Sequence, residues 1–242
     1  MAHRQFLRLA ILALAGAAPA HAAGIAARSP VVVELFTSQG CSSCPPADAY
    51  LGKLAKEPGI LALGFHIDYW NYIGWNDPYS LKIAATRQRH YARRLGLAYV
   101  FTPEMVIDGR RDGVGSEPDK IASLLRAAAR DAPGPELLLS RNAGGGFHIH
   151  VGAGTPATPA TLWLVGIDRA ERTRVLRGEN AGVTATDYQV VRSFTAIGHW
   201  DGRALELDIP ASDATGDEVA LLLQTDDAGP ILAAAKLSGP AS

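Results

Sequence analysis

Cys41 and Cys44 are the only thiols in a chain of 242 residues. Their C-x-x-C spacing suits two chemistries: cycling between dithiol and disulfide, or holding a soft metal through two thiolates. The apolar run Val31 to Phe36 precedes the pair and the helix-compatible run Ala47 to Lys56 follows it, which predicts a strand-to-helix junction. At the start of such a helix Cys41 would lie among unpaired backbone N–H groups, where the dipole favours thiolate over thiol. A bridge across two intervening residues closes a very small loop, so it gains little by restricting the unfolded chain. A chemical use of the pair is the stronger expectation.

Other side chains of the right type lie at useful spacings. Ser42 and Ser43 sit between the cysteines, and their hydroxyls are able to hydrogen-bond a neighbouring thiolate and stabilise it. Glu34 interrupts the apolar run and has two readings, a solvent-facing acid at a strand end or a buried proton acceptor for the dithiol. His66 and Asp68 alternate on the same face near the end of the next apolar run, at the C-terminal strand end where open α/β sheets place their sites. Trp70 opens an aromatic loop that also holds Tyr72 and Trp75, which either lines a substrate cleft or caps the core. His148 and His150 share one strand face, read as an exposed polar face. No metal ligand set and no cofactor is assigned.

These residues need a scaffold, and the patterning supplies one. Val31 to Phe36 reads as a strand buried on both faces. A helix is predicted from near Cys41 to Ala55, since Pro45 and Pro46 suit a first turn. A strand over Ile60 to Tyr69 and a helix over Ser80 to Leu95, ended by Gly96, come next. Arg87, Arg89, His90, Arg93 and Arg94 form that helix's solvated face. Asp108-Gly109 marks a hairpin, so the third and fourth strands are expected to be antiparallel. Ser116 to Asp119 begins a last helix that runs to about Arg130. After the breaker Asp131 to Pro135 the pattern changes to seven short β runs within 136–242, which suggests a β-sandwich.

Whole-chain properties narrow the classes. A hydrophobic content of 48% is enough for a packed core, and a net charge of −1 lacks the basic footprint of a nucleic-acid binder. Residues 1–22 read as a signal peptide, with Arg4 and Arg8 before the short apolar stretch Leu9 to Ala17 and a small-x-small cleavage site. No segment approaches the ~20 apolar residues of a membrane span, so none is expected in the mature chain. Export to the periplasm or beyond follows, a setting in which a disulfide persists.

The element order strand, helix, strand, helix, strand, strand, helix, with C-x-x-C opening the first helix and Thr102-Pro103 before the third strand, resembles the thioredoxin fold. The resemblance implies a mixed central sheet flanked by helices over 23–132. It also implies Cys41 as nucleophile, Cys44 as resolving cysteine, Pro103 as a cis-proline facing the dithiol, and Thr102 as a contact to bound polypeptide. More narrowly, Phe36 to Asp48 (FTSQGCSSCPPAD), His66 to Trp70 and Thr102 to Gly109 are similar to an exported bacterial thioredoxin-like family of unassigned function. Arg177 to Asn180 and Gln189 to Arg192 resemble second-domain segments of that family. The chain departs from thioredoxins in carrying Gly40 before the first cysteine and two serines inside the pair.

The leading expectation is an exported thiol–disulfide oxidoreductase acting on a protein or small-molecule thiol or disulfide, with an electron-transfer partner whose nature the sequence does not specify. Two other readings fit the same residues. One is a non-catalytic scaffold with a structural Cys41–Cys44 disulfide. The other is a copper carrier in which His66 or Met105 joins the thiolates.

Overall fold

The computed structural model describes residues 29–237; the expected signal peptide lies outside them. The chain begins with β1 (Val31–Thr37), α1 (Pro45–Leu54), β2 (Ile60–His66), α2 (Lys82–Leu95), β3 (Glu104–Ile107), β4 (Arg111–Val114) and α3 (Pro118–Ala128). It continues with β5 (Leu137–Arg141), β6 (Phe147–Val151), β7 (Ala160–Arg174), β8 (Thr184–Trp200), β9 (Leu205–Ile209), β10 (Glu218–Thr225) and β11 (Ile231–Leu237). The fold is mixed α/β. A large central sheet carries helices, and a separate antiparallel sheet packs against its far part.

The central sheet runs in the order β11-β10-β7-β8-β2-β1-β3-β4. β1 lies parallel to β2 and antiparallel to β3, and β3 forms the expected hairpin with β4. Asp108 and Gly109 both adopt positive φ, 48° and 63°, the backbone that a tight two-residue hairpin turn requires. β1 divides its side chains between two cores. Val33 and Leu35 pack with Ala47, Leu51 and Ile121 of α1 and α3, whereas Val32 and Phe36 pack with Ala84, Ala85 and Tyr91 of α2. A strand buried on both faces has no polar alternation to show, which explains its continuous apolar run.

All seven expected β runs of the second half are strands. β7, β10 and β11 send Leu162, Leu164, Leu221, Leu223 and Ala233 toward Phe147, Ile149 and Val151 of the three-stranded β5-β6-β9 sheet. This is the sandwich-like layer. Its larger sheet continues into the first half, because β8 runs parallel beside β2, with Gly64 opposite Val190.

β7 and β8 extend well beyond the expected Thr161 to Asp168 and Tyr188 to Phe194. The added part of β7, Arg169 to Arg174, is polar on both faces and has no core signature. It is strand because it ladders with β8, Ala170 opposite Tyr188 through Arg174 opposite Thr184. This extension carries the hairpin tip to the cysteines.

Several local expectations are corrected. α1 begins at Pro45 with Cys44 as N-cap, so Cys41 lies in the preceding turn. α3 begins at Pro118 behind Glu117, without a side-chain cap bond from Ser116. Arg87 is not on a solvated face: it turns into the core, buried, and pairs with Glu34.

Candidate functional site

Cys41 and Cys44 form a disulfide with Cα atoms 5.5 Å apart. The turn that holds them is closed by backbone bonds from Cys41 N–H to the Ser38 carbonyl and from Cys44 N–H to the Cys41 carbonyl. Cys41 Sγ lies 3.3 Å from Ser43 Oγ and 3.9 Å from the carbonyl oxygen of Thr102. The Thr102–Pro103 peptide is cis. Trp70 fixes Thr102 from the other side, its indole N–H donating to the Thr102 hydroxyl at 2.8 Å. The fold therefore brings Cys41, Cys44, Ser43, Thr102, Pro103 and Trp70 to one place.

The N–H groups expected around Cys41 are largely spoken for. Pro45 and Pro46 have none, Cys41 N–H is bonded to Ser38, and Ser42 N–H donates to Glu179 Oε2 at 3.0 Å. The hydroxyl nearest the Cys41 sulfur is that of Ser43, which also donates to the Thr102 carbonyl at 3.4 Å. Ser42 faces Glu179 instead, and its side-chain and amide hydrogen bonds hold the Glu179 carboxyl below its usual range. Gly40 has a steric cause: a Cβ there would lie 3.2 Å from Ile73 Cδ1 and 3.4 Å from Trp70 Cβ.

Glu34 is neither solvent-facing nor directed at the thiols. It is fully buried on the α2 side of the sheet, where Arg87 Nε and Nη2 donate to its two oxygens at 2.6 and 3.1 Å and the Tyr91 hydroxyl adds a third bond. With both oxygens engaged by a bidentate guanidinium and by the Tyr91 hydroxyl, this carboxyl group is occupied on the α2 side and does not face the cysteines. The anticipated His66 and Asp68 pair also separates. β2 ends at His66, and Asp68 lies past it in the following turn, its carbonyl accepting from Asn71 N–H. The partner of His66 is Asp77, 2.8 Å from Nδ1.

Beneath the dithiol lies a polar network that only the tertiary structure assembles. Gln39 is its hub. Its backbone N–H donates to Asp77, its side-chain Nε2 donates to Asp187 at 2.6 Å, and its side-chain Oε1 accepts from the Trp75 indole. Asp48 hydrogen-bonds the Thr37 hydroxyl at 2.8 Å. It is four residues beyond Cys44 on the same face of the helix start, a spacing visible in the sequence that could have singled it out. Asp77 and Asp187 carry no such signal, since they reach Gln39 from 38 and 148 positions away.

The electrostatics follow from burial. Desolvation pushes Asp48 up to about 7, against the opposing attraction of His66. Burial acts to lower His66, but Asp77, with Asp187 and Asp48 behind it, outweighs burial and raises the imidazole to about 9. Burial would raise Asp77, yet His66 and two backbone N–H groups hold it below the usual carboxylate range. Desolvation raises Asp187. A cavity of about 220 Å³ opens beside this network, lined by Pro45, Asp48, Asn180, Thr186, Asp187 and Tyr188 among others.

His148 and His150 lie far from the cysteines in sequence and sit on β6, each beside an acid of β9: His148 with Asp208 at 3.3 Å and His150 with Glu206 at 2.5 Å. Met105 is core, packed with Leu35 and Ala47. Among the described residues no group of three or more His, Cys, Asp or Glu is arranged to hold a metal ion, and no helix is long and apolar enough to cross a membrane.

A crystal structure of a protein from Agrobacterium tumefaciens is similar to this chain, with a TM-score of 0.75 and 32% identity over 88% of this chain and 95% of that one. HBP35 of Porphyromonas gingivalis aligns with a TM-score of 0.59 and 16% identity over 87% of this chain and 75% of that one, a likeness of fold. No curated protein matches. Residues 32–224 match the family described as a protein of unknown function, DUF1223, and the chain belongs to that family.

Proposed function

We propose that the protein is a thiol–disulfide oxidoreductase of thioredoxin-like architecture that works through Cys41 and Cys44 outside a reducing cytosol. The observation that carries this reading is the setting of the disulfide: its Cys41 sulfur faces the Ser43 hydroxyl and the Thr102 carbonyl at 3.3 and 3.9 Å, in the turn just before a helix. The cis Thr102–Pro103 peptide and the β1-α1-β2-α2-β3-β4-α3 order support the architecture.

The exchange balances between a client dithiol and the protein's disulfide. A client thiolate attacks Cys41 sulfur, a client–Cys41 bond forms, the Cys41–Cys44 bond breaks, and Cys44 leaves as thiolate and takes a proton. The client's second thiolate then attacks the client's first sulfur in the mixed disulfide, and Cys41 leaves as thiolate and takes the second proton. Two electrons and two protons pass to the protein, and the client leaves as a disulfide. In reverse, Cys41 thiolate attacks a client disulfide and Cys44 resolves the intermediate. Asp48, one helical turn beyond Cys44 with its backbone N–H donating to the Cys44 carbonyl and its carboxyl raised to about 7 by burial, has the acidity suited to exchanging the Cys44 proton near neutral pH. That role takes the place of the one expected for Glu34.

A Cys44→Ser variant treated with a client disulfide is expected to accumulate a mixed disulfide on Cys41, and Cys41→Ser to form none. A wild-type bond that dithiol reductants do not open, or a reduced Cys41 that resists alkylation up to alkaline pH, would overturn the reading. That outcome would favour the structural-disulfide scaffold, which Cys41's exposure of 1% supports.

A further inference from the structure

We propose that the tip of the β7-β8 hairpin, residues 177–182, is a strap that closes the Cys41–Cys44 site, with Glu179 and Asn180 as the residues that latch it. The inference takes the cysteine pair as the reactive site, as proposed above. It rests on a feature that fold formation does not require. The tip is already a self-contained turn, closed by Gly182 N–H to the Val175 carbonyl, Ala181 N–H to Gly178 and Val183 N–H to Asn180. Its polar side chains are thus free to bond elsewhere, and they bond the cysteine turn.

Asn180 Nδ2 donates to two backbone carbonyls of that turn, Gln39 and Cys41, each at 2.9 Å. Glu179 Oε2 accepts from the Ser42 N–H at 3.0 Å. Together they bind the turn on both sides of Cys41 and at Cys41 itself: the Gln39 carbonyl two residues before it, its own carbonyl, and the Ser42 N–H just after. Gly178 lies against Ile73 and Trp75, so the tip is seated on the same aromatic loop that supplies Trp70. Cys41 itself has almost no exposure, while the two serines that follow it are exposed.

The latch is local and polar, and the apolar anchor behind it is a single side chain, Val175. Val175 is fully buried just before the tip, while Leu176, Arg177, Glu179, Ala181 and Gly182 are exposed. A segment with few buried apolar contacts opens at lower free energy than the core it hangs from. The strap therefore discriminates by size: a compact dithiol reaches Cys41 through small openings, and a protein client requires the tip to swing away. Motion of the tip also frees the Cys41 and Gln39 carbonyls and the Ser42 N–H, which are then available to the client backbone.

The test is the rate at which the wild-type disulfide is reduced by dithiothreitol and by a reduced protein dithiol such as thioredoxin, read by alkylation and mass. A Glu179→Ala/Asn180→Ala double variant is expected to react with the protein dithiol about tenfold faster, the factor that one or two net hydrogen bonds represent. With dithiothreitol the gain is about threefold or less on the same argument. Arg177→Ala, at the exposed tip with no latch bond, stays at the wild-type rate with both. Asn180→Asp, nearly isosteric but lacking the donor, follows the double variant and decides the matter if that one is poorly folded. Amide exchange provides a second readout: Ser42 N–H loses protection in the latch variants while Leu63 in β2 keeps it. Rates within twofold of wild type in both latch variants overturn the strap, whether or not the protein turns over clients. Accelerated reduction in a protein with no client turnover leaves the strap standing and removes the oxidoreductase reading.

Discussion

Asp48→Asn is the sharpest probe of the buried network, because it removes a charge while keeping shape. The asparagine carbonyl still accepts from the Thr37 hydroxyl, as Asp48 Oδ1 does at 2.8 Å. In the folded protein Asp48 titrates at about 7, against an ordinary value of 3.8. The folded state thus holds a proton that the unfolded chain has given up, and wild-type stability declines as pH rises from 3.8 to 7. From pH 5 to 7 that decline is about 3 kcal/mol, two pH steps at about 1.4 kcal/mol each, and above 7 it is complete. His66, raised from 6.5 to about 9, adds a further decline between those pH values in both proteins; Asp48 is the smallest of the causes that raise it, so most of that decline is shared and a small part is lost in the variant. The assay is urea unfolding of the oxidised wild type and variant at pH 5, 6 and 8. The variant is expected to gain about 3 kcal/mol on wild type between pH 5 and 8. Parallel stability profiles would refute the claim that Asp48 is a desolvated acid, and with it the proton role assigned beside Cys44.

Other perturbations separate structure from chemistry. Glu34→Gln strands the buried Arg87 guanidinium and is expected to cost about 3–5 kcal/mol in urea unfolding, while the alkylation rate of reduced Cys41 changes less than about twofold because no contact links the two. A larger effect on Cys41 than on stability would restore Glu34 to the site. Ser43→Ala removes the hydroxyl 3.3 Å from Cys41 sulfur and is expected to raise the pKa of the reduced Cys41 thiol, read as a shift of its alkylation profile to higher pH. Ser42→Ala, whose residue faces Glu179, should leave that pKa in place. Gly52→Ala sets a Cβ 2.6 Å from the Tyr188 ring, so despite alanine's better helix propensity it should destabilise by about 1–3 kcal/mol. Pairing it with Tyr188→Ala should recover part of the loss, and an additive double variant would show that α1 does not meet β8 there.

The sequence by itself carried the cysteine pair, its place between β1 and α1, the β3-β4 hairpin and the number of strands in the second half. Each depends on local rules: side-chain period, proline at a helix start, and the Asp108-Gly109 turn. Thr102 and Pro103 were also legible, but through resemblance. Tertiary structure alone decided which charges meet. Glu34 looked available for proton transfer because its partner Arg87 is 53 positions away and, on helix periodicity, looks like one of several surface arginines. His66 looked paired with Asp68 because alternation continues only while a strand does, and β2 stops at His66. The polar half of β7 had no apolar face to announce it, since its backbone is satisfied by β8 and not by burial. From that extension follow Glu179, Asn180 and Asp187, which reach Cys41 and its neighbours from about 140 residues downstream. A pair spacing can state that two thiols will meet; only packing states what covers them and which acid lies beneath.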